Sequence, residues 1–473
     1  MRSRLPSALA ITLLSFALST GVNAQSSPLG GRIADLVRQA ALGDGVGLLV
    51  MEGDREIYAL SPDTPRNPAS NQKLVTAATA LLELGPDHRM HTKLFGRIEN
   101  GRIADLVLRG EGDPSLEHVH LWELADALAD RGVRAVDRIW VDGSFFDDQI
   151  LPPAFEQQPN ETAAFRAAVG AVAVDQSSFV LRVLPGPSVG APAAVRLAAS
   201  GYFEVDNGMT TTEGGAPNVI ASQRALDDGR MQLVLRGTMP AGLVGVGYRR
   251  RIEHPLVYAG HAMVDALDRV GIRGGRRVGL GRGPDGLALL ADHESPSLAQ
   301  LLHPVGKDSD NFYAEMILKA IGAHRATPAT SARGAEVCQS VLERAGVPRG
   351  AATIVNGSGL FEGNRIAPRH LVQLLGYVYQ EPRVRAEYLA HLAIGGVDGT
   401  LRRRLSDLPS GVIVRAKTGT LNDAIALSGF VVAAGDRERV VRFSYLANGI
   451  RGKQGAARQL IDDVLRAVAA EMN

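Results

Sequence analysis

Short apolar strands at the two ends of the chain constrain its fold more than any other feature. Five strands are predicted from apolar runs bounded by turn signals, at 46–51, 56–60, 412–418, 425–433 and 440–446. A helix with apolar residues at helical spacing is predicted outside each group, at 32–42 and 456–469. Because strands this short need partners to be stable, the pattern predicts one five-stranded antiparallel sheet faced by both terminal helices.

The sequence between the two groups of strands predicts two further structural units. Strand pairs dominate residues 91–289, with turn signals at Asn100-Gly101 and Asp228-Gly229. A proline- and glycine-rich loop at 184–193 suggests that this region has two subdomains. Helical patterns follow at 311–321, 333–345, 368–380 and 384–392. The predicted fold class is therefore α+β, an α/β sandwich in which the sheet and a helical lobe (25–90 and 290–473) are split by a large β-rich insertion (91–289).

Residues 1–24 have the composition of a cleaved signal peptide. Arg2 and Arg4 precede an apolar run at 8–22, and Val22-Asn23-Ala24 fits a cleavage site with small residues. The run is too short for a membrane-spanning helix. With one cysteine, Cys338, the exported chain has no disulfide framework, and export without disulfides fits a bacterial periplasm and a chain large enough to rely on its cores.

Charge and motifs exclude several classes of function. Without Arg2 and Arg4, the 51 basic side chains become 49, against 50 acidic ones. This near-neutral balance argues against a nucleic-acid partner. The sequence has no His-Glu-x-x-His zinc motif, no Gly-x-Ser-x-Gly motif and no complete dinucleotide-binding loop, so we expect no metal and no cofactor.

Lysine is rare in this chain, and two of the six lysines lie in patterns that suggest chemistry. The chain has forty-five arginines. Lys73 ends Ser70-Asn71-Gln72-Lys73, and Lys417 begins Lys417-Thr418-Gly419, with Ser309-Asp310-Asn311 between them. Arginine stays protonated, whereas a lysine loses its proton when it is desolvated or lies near another cation. We therefore expect an active-site serine with an amine as its base.

The first motif supplies the nucleophile. Ser70 is predicted at a helix start, where unpaired backbone N–H groups can hold an oxyanion. Lys73 lies one helical turn later, on the same face, and can take the serine proton if its pKa is lowered. Lys417 is the cation that we expect to lower it.

The other two motifs can complete such a site. Alone, Ser309-Asp310 would be a helix cap. Together with the other motifs, Ser309 is predicted to carry a proton to the leaving group, and Asn311 to orient a substrate carbonyl. Glu315, one turn further, is predicted to be structural.

The third motif is predicted to bind the substrate. Lys417 and Thr418 offer a charge and a donor for a free carboxylate. Gly419 lets a substrate backbone approach the strand closely, and the Thr420 N–H is predicted to be the second oxyanion donor.

The three motifs in this order resemble the signature of serine β-lactamases and penicillin-binding proteins. Their flanks are similar to the D-alanyl-D-alanine carboxypeptidase/endopeptidase family, the low-molecular-mass class C penicillin-binding proteins. The similar stretches are Pro68-Ala69-Ser70-Asn71-Gln72-Lys73-Leu74, Gly112-Asp113-Pro114-Ser115-Leu116, Ser309-Asp310-Asn311-Phe312-Tyr313-Ala314-Glu315-Met316, Gly357-Ser358-Gly359-Leu360, Asp398-Gly399-Thr400-Leu401 and Ala416-Lys417-Thr418-Gly419-Thr420-Leu421.

The resemblance implies a fold and a function. It implies a β-lactamase/transpeptidase-like domain and cleavage of the D-Ala-D-Ala bond of peptidoglycan stem peptides, or of the D-configured cross-links between them, through an acyl-enzyme on Ser70. β-Lactams such as penicillin would then be covalent inhibitors. The chain departs from the family at Asn356, where aspartate is usual, and at Phe361, where serine is common.

Two alternative functions share the same motifs. A serine β-lactamase of class A uses a glutamate in the pattern Glu-x-x-Leu-Asn, and no glutamate between Asn311 and Lys417 has that context. A non-catalytic penicillin- or wall-binding module is the other alternative, although it would not need both lysines.

Overall fold

The structure is a computed structural model that describes residues 27–274, 277–433 and 439–472. The predicted signal peptide and Gly435-Asp436, the turn signal between the strands predicted at 425–433 and 440–446, lie outside the described residues. The helices are α1 (Pro28–Ala40), α2 (Gln72–Leu84), α3 (His118–Asp130), α4 (Pro255–Arg269), α5 (Leu298–His303), α6 (Asn311–Ala323), α7 (Ser331–Arg344), α8 (Pro368–Gln380), α9 (Arg385–His391) and α10 (Gln454–Met472). Within the described ranges, none of them has the length and apolar character needed to cross a bilayer.

The strands form four sheets in the described part of the chain. In chain order they are β1 (Val46–Glu52), β2 (Arg55–Leu60), β3 (His91–Gly96), β4 (Arg102–Gly110), β5 (Ala135–Asp142), β6 (Ser178–Leu184), β7 (Ala194–Arg196), β8 (Phe203–Thr212), β9 (Asn218–Ala225), β10 (Met231–Pro240), β11 (Val246–Arg251), β12 (Arg277–Leu280), β13 (Ala288–Glu294), β14 (Ala393–Ile394), β15 (Val412–Leu421), β16 (Ala424–Ala433) and β17 (Arg439–Asn448).

The predicted antiparallel sheet joins the two ends of the chain. Its order is β14-β15-β16-β17-β1-β2, and every neighbouring pair is antiparallel. Val46 pairs with Ala447, so the first strand of the chain, β1, lies beside the last strand, β17. The five predicted strands are present, but the sheet has a sixth, β14. A strand of two residues has no periodic pattern that a sequence could reveal.

Helices cover both faces of this sheet. On one face, Ile33 of α1 and Ile461 of α10 are buried against the sheet, as predicted for the terminal helices. On the other face, Phe430 and Leu446 pack into the core of the helical lobe. At the centre of that lobe, ten of the thirteen residues of α2 are buried. A helix buried on nearly all sides holds its side chains in fixed positions.

The inserted region is built on its own sheets. A five-stranded sheet has the order β12-β5-β4-β3-β13, with α3 and α4 packed together beside it, and two three-stranded sheets have the orders β8-β10-β9 and β11-β6-β7. The hairpin predicted around Asp228-Gly229 is β9–β10. Strand β13 pairs with β3 and runs to Glu294, so this sheet extends past residue 289, where the predicted insertion ends.

Candidate active site

Ser70 lies in a short 3-10 turn, Ala69–Asn71, that leads into α2. The α-helix therefore begins two residues later than predicted, at Gln72. Ala69 has a left-handed backbone (φ 47°), and its N–H donates to Asn67 Oδ1 at 2.9 Å, which fixes the turn. The spacing still brings Lys73 Nζ to 3.1 Å from Ser70 Oγ.

Lys73 is completely buried and contacts three oxygen atoms. Besides Ser70 Oγ, its Nζ donates to Asn311 Oδ1 at 2.7 Å and to the Ser358 carbonyl at 2.8 Å. Burial lowers the pKa of Lys73 to about 7, against the opposing charges of Glu315 and Asp310. Burial, rather than the charge of Lys417 expected from the sequence, is the main cause of this shift.

Lys417 reaches the same site from β15 and is also completely buried. Its Nζ donates to Ser309 Oγ and to the Thr418 carbonyl, both at 2.8 Å. Burial, and then the charge of Lys73, lower the pKa of Lys417 well below its ordinary value. The two lysines therefore each hold one serine of the predicted site.

The three residues of the second motif, Ser309, Asp310 and Asn311, have different structural roles. Ser309 follows a π-helical turn, Pro304–Asp308, and has a left-handed backbone (φ 62°). Asp310 caps α6 by accepting from the Tyr313 N–H at 3.0 Å. Asn311 begins α6, and its Nδ2 donates to the Phe165 carbonyl at 3.1 Å. Because Asp310 caps the helix, the side chains of Ser309 and Asn311 are available to bond to Lys417 and Lys73, respectively.

The segment around Gly419 is packed closely against the segment before Ser70. A Cβ at Gly419 would lie 3.0 Å from the Pro68 carbonyl oxygen and 3.1 Å from Ala69 Cβ. A side chain at this position would therefore crowd other segments of the chain, a constraint that the predicted role in substrate approach did not include. The side chain of Asn71 also links these two segments, since its amide nitrogen can reach the Lys417 carbonyl at 2.8 Å.

The remaining residues of the third motif lie at the outer edge of the site. Thr418 Oγ1 bonds to Thr400 Oγ1 at 2.8 Å. The turn that carries Thr400 is held by Asp398, whose carboxylate accepts from Lys307 Nζ at 2.5 Å. Thr420 is exposed in the cleft beside Ser70.

Glu315 and the carbonyl of Ser358 support the site from behind. The Glu315 carboxylate is buried and accepts from the Gly357 N–H at 3.0 Å and the Ser358 N–H at 2.8 Å. Burial raises the pKa of Glu315, although these N–H groups oppose the rise. Glu315 thus holds the turn whose carbonyl contacts Lys73, consistent with the structural role predicted for it.

Asn356 organises the same turn. Its Nδ2 donates to the carbonyls of Pro153 at 3.0 Å and Leu360 at 3.1 Å, and its Oδ1 accepts from the Gly359 N–H at 2.9 Å. The neighbouring Phe361 packs edge-on against Phe155, with ring centroids 5.6 Å apart. The two departures from the family pattern therefore tie this turn to the inserted region.

A cleft of about 770 Å³ opens in front of Ser70. Ser309, Asn311 and Thr420 line it together with Ser70. The inserted region supplies part of its wall, through Gln157, Gln158, Glu161 and Phe165. The inserted region therefore contributes to the cleft, although the sequence carries no chemical motif at these four positions.

Comparison with known proteins identifies the family. The model of the D-Ala-D-Ala carboxypeptidase 3 (S13) family matches residues 29–470, so the chain belongs to that family. The prediction of a serine-type D-Ala-D-Ala carboxypeptidase is confirmed by this match and by the relatives described next.

Two curated relatives and one solved structure cover almost the whole chain. The D-alanyl-D-alanine carboxypeptidase of Actinomadura sp. is 33% identical over 475 residues, covering 95% of this chain and 87% of that protein. The D-alanyl-D-alanine carboxypeptidase DacB of Haemophilus influenzae is 27% identical over 443 residues, covering 91% and 90%. The crystal structure of penicillin binding protein 4 (dacB) from Haemophilus influenzae superposes with a TM-score of 0.74 at 25% identity, covering 93% of this chain and 98% of that one. The predicted α+β fold class is confirmed.

Proposed function

We propose that this protein cleaves the D-Ala-D-Ala bond of peptidoglycan stem peptides, and the D-configured cross-links between them, through an acyl-enzyme on Ser70. The observation that carries the proposal is the buried amine of Lys73, 3.1 Å from the Ser70 hydroxyl. A serine hydroxyl becomes a nucleophile when a neighbouring base takes its proton.

The contacts of Lys73 can also be made by the neutral form of its amine. A neutral amine has two N–H donors and one lone pair, whereas the cation has three donors. Asn311 Oδ1 and the Ser358 carbonyl are acceptors, and they take both N–H groups of the neutral amine. The lone pair is then free for the Ser70 proton. A pKa of about 7 makes this form abundant at neutral pH.

The proposed reaction has an acylation step and a deacylation step. Ser70 Oγ attacks the carbonyl carbon of the penultimate D-alanine as its proton passes to Lys73. The N–H groups of Ser70 and Thr420 are the proposed oxyanion donors. As the C–N bond breaks, the Ser309 hydroxyl gives its proton to the leaving amine and takes one from Lys417, which it contacts. Water then attacks the ester carbonyl and its proton returns through Ser309 to Lys417, while Ser70 Oγ leaves and takes back the proton held by Lys73.

The other motif residues are proposed to bind the substrate. Lys417 and Thr418 hold the terminal carboxylate, Asn311 donates to a substrate carbonyl, and Gly419 leaves the strand edge open to the substrate backbone. Penicillin would enter the same site and acylate Ser70. We place the enzyme in the periplasm, exported by the signal peptide at 1–24.

We also propose the domain division predicted from the sequence, but with a later C-terminal boundary for the insertion. Residues 25–90 and the C-terminal part form the catalytic domain, and the insertion begins at 91. Because β13 pairs with β3, we place the end of the insertion after Glu294 instead of at 289.

A β-lactamase needs a base that activates water for rapid deacylation. Glu315 is the glutamate whose charge acts on Lys73, but N–H groups of Gly357 and Ser358 occupy its two oxygens. We therefore expect a long-lived penicilloyl-enzyme.

Two assays with a Ser70→Ala control test the proposed function. The wild type should release D-alanine from diacyl-Lys-D-Ala-D-Ala or a stem pentapeptide, and labelled penicillin should give a persistent band on a denaturing gel. A band that disappears within seconds would favour the β-lactamase. A persistent band without D-alanine release from peptides or wall fragments would favour the non-catalytic module. Loss of cross-linked dimers from digested peptidoglycan would report endopeptidase action.

A further inference from the structure

A short segment of the inserted region lies against the Asn311 amide. We name residues 161–166 the cleft strap. The Phe165 carbonyl accepts from Asn311 Nδ2 at 3.1 Å, and the residue is 45% exposed. Glu161 and Phe165 both line the cleft that contains Ser70. The strap therefore contacts the side chain that also bonds to Lys73.

The cleft strap is anchored to β11 of the inserted region. The backbone N–H of Arg251 donates to the Thr162 carbonyl at 3.0 Å, and its Nε donates to the Glu161 carbonyl at 2.9 Å. Arg250 Nη1 donates to Thr162 Oγ1 at 2.7 Å. Arg251 is buried and paired with Glu253 at 2.6 Å, so its guanidinium has a fixed position.

The far end of the strap is fixed separately. Arg166 is buried, and its Nε donates to the Phe155 carbonyl at 2.7 Å. Since both ends are held by other residues of the insertion, the inserted region fixes the position of the Phe165 carbonyl.

The contacts of Asn311 fix the orientation of its amide. Its Oδ1 accepts from Lys73 Nζ at 2.7 Å, so the amide nitrogen must lie on the other side. A carboxamide nitrogen has two N–H donors. The Phe165 carbonyl takes one of them and leaves the second for a ligand in the cleft.

We propose that the cleft strap is a positioning element for the acyl part of the substrate, through which the inserted region takes part in substrate selection. The Phe165 carbonyl holds the Asn311 amide so that its second N–H meets a substrate carbonyl. The ligands selected are acyl donors with an amide carbonyl on the amino-terminal side of the reacting residue. This inference rests on the proposed function, because it takes Asn311 as a substrate donor.

Two variants loosen the strap without touching the cleft lining described above. Thr162→Val keeps the shape but removes the contact with Arg250. Arg251→Lys keeps a charge for Glu253 but removes the donor to the Glu161 carbonyl. Arg236→Lys is the matched control, because Arg236 is in the same insertion but pairs with Asp206 at 2.7 Å, away from the strap.

The readout is the acylation rate of Ser70 with two β-lactams. Benzylpenicillin carries an amide carbonyl beside the reacting ring, and the aminopenicillanic acid nucleus has a free amine there. We expect both strap variants to slow acylation by benzylpenicillin roughly three- to tenfold, the effect of one neutral hydrogen bond. Acylation by the nucleus should stay at the wild-type rate, and Arg236→Lys should leave both rates unchanged.

An equal loss with both compounds would mean that the strap only supports the fold, and it would overturn the proposal. Unchanged rates in both variants would overturn it as well. Failure of the wild-type enzyme to be acylated by either compound would instead contradict the proposed function, so the two failures are distinguishable.

Discussion

Lys73 Nζ lies 3.1 Å from Ser70 Oγ, and the lysine side chain has no exposed surface. The same nitrogen contacts Asn311 Oδ1 and the Ser358 carbonyl. Burial disfavours the charged amine, and so favours the neutral amine that can act as a base. The pair can thus work as nucleophile and base without a histidine.

Replacement of Lys73 by arginine should slow acylation strongly. A guanidinium of the same charge stays protonated at any working pH and cannot serve as the base. We expect Lys73→Arg to slow acylation by labelled penicillin by at least about 10²-fold, the usual contribution of a general base. Lys453→Arg is the control, since Lys453 is exposed and donates to the Ala41 carbonyl. A Lys73→Arg rate close to that of the wild type would show that another group is the base.

The acylation rate should depend on pH in the direction set by Lys73. Its pKa is lowered to about 7, and the neutral form increases as the pH rises. The rate should therefore rise about tenfold per pH unit below pH 7 and level off above it. Rapid-mixing measurements from about pH 5 to pH 9 would reveal the profile. A rate that does not change through neutral pH would contradict a titrating amine in this role.

Asn356→Asp should destabilise the protein although it restores the residue usual in the family. The amide donates to the Pro153 and Leu360 carbonyls, and an ionised carboxylate can donate to neither. We expect a loss of about 1–3 kcal/mol in the free energy of unfolding, measured in urea. The loss should be smaller in acid, because a protonated carboxyl regains one donor. The exposed Asn422→Asp should cost little, and equal stability of both variants would contradict the role assigned to Asn356.

The sequence predicted those features that depend on periodicity or on spacing along one helix. The five long strands and both terminal helices follow from their apolar patterns. Ser70 and Lys73 meet because three residues make about one helical turn. The inserted hairpin β9–β10 was found from Asp228-Gly229, but the parallel partner β8 has no such turn signal.

Contacts made through space could not be predicted in the same way. The Ser358 carbonyl and the Phe165 carbonyl are backbone atoms, which any residue type could supply. The close approach of Gly419 to Pro68 depends on how two distant segments pack. The source of the lowered Lys73 pKa also depends on packing, because its main cause is burial inside the helical lobe.

Titration of the lysine amines tests the central claim most directly. The chain has six lysines, so a protein labelled for NMR at the lysine ε-carbons would give few enough signals to assign each by substitution. We predict that the signal lost in Lys73→Arg titrates near pH 7 in the wild type. If that signal instead shows a charged amine up to about pH 10, the ordinary range for lysine, Lys73 is not the base that activates Ser70.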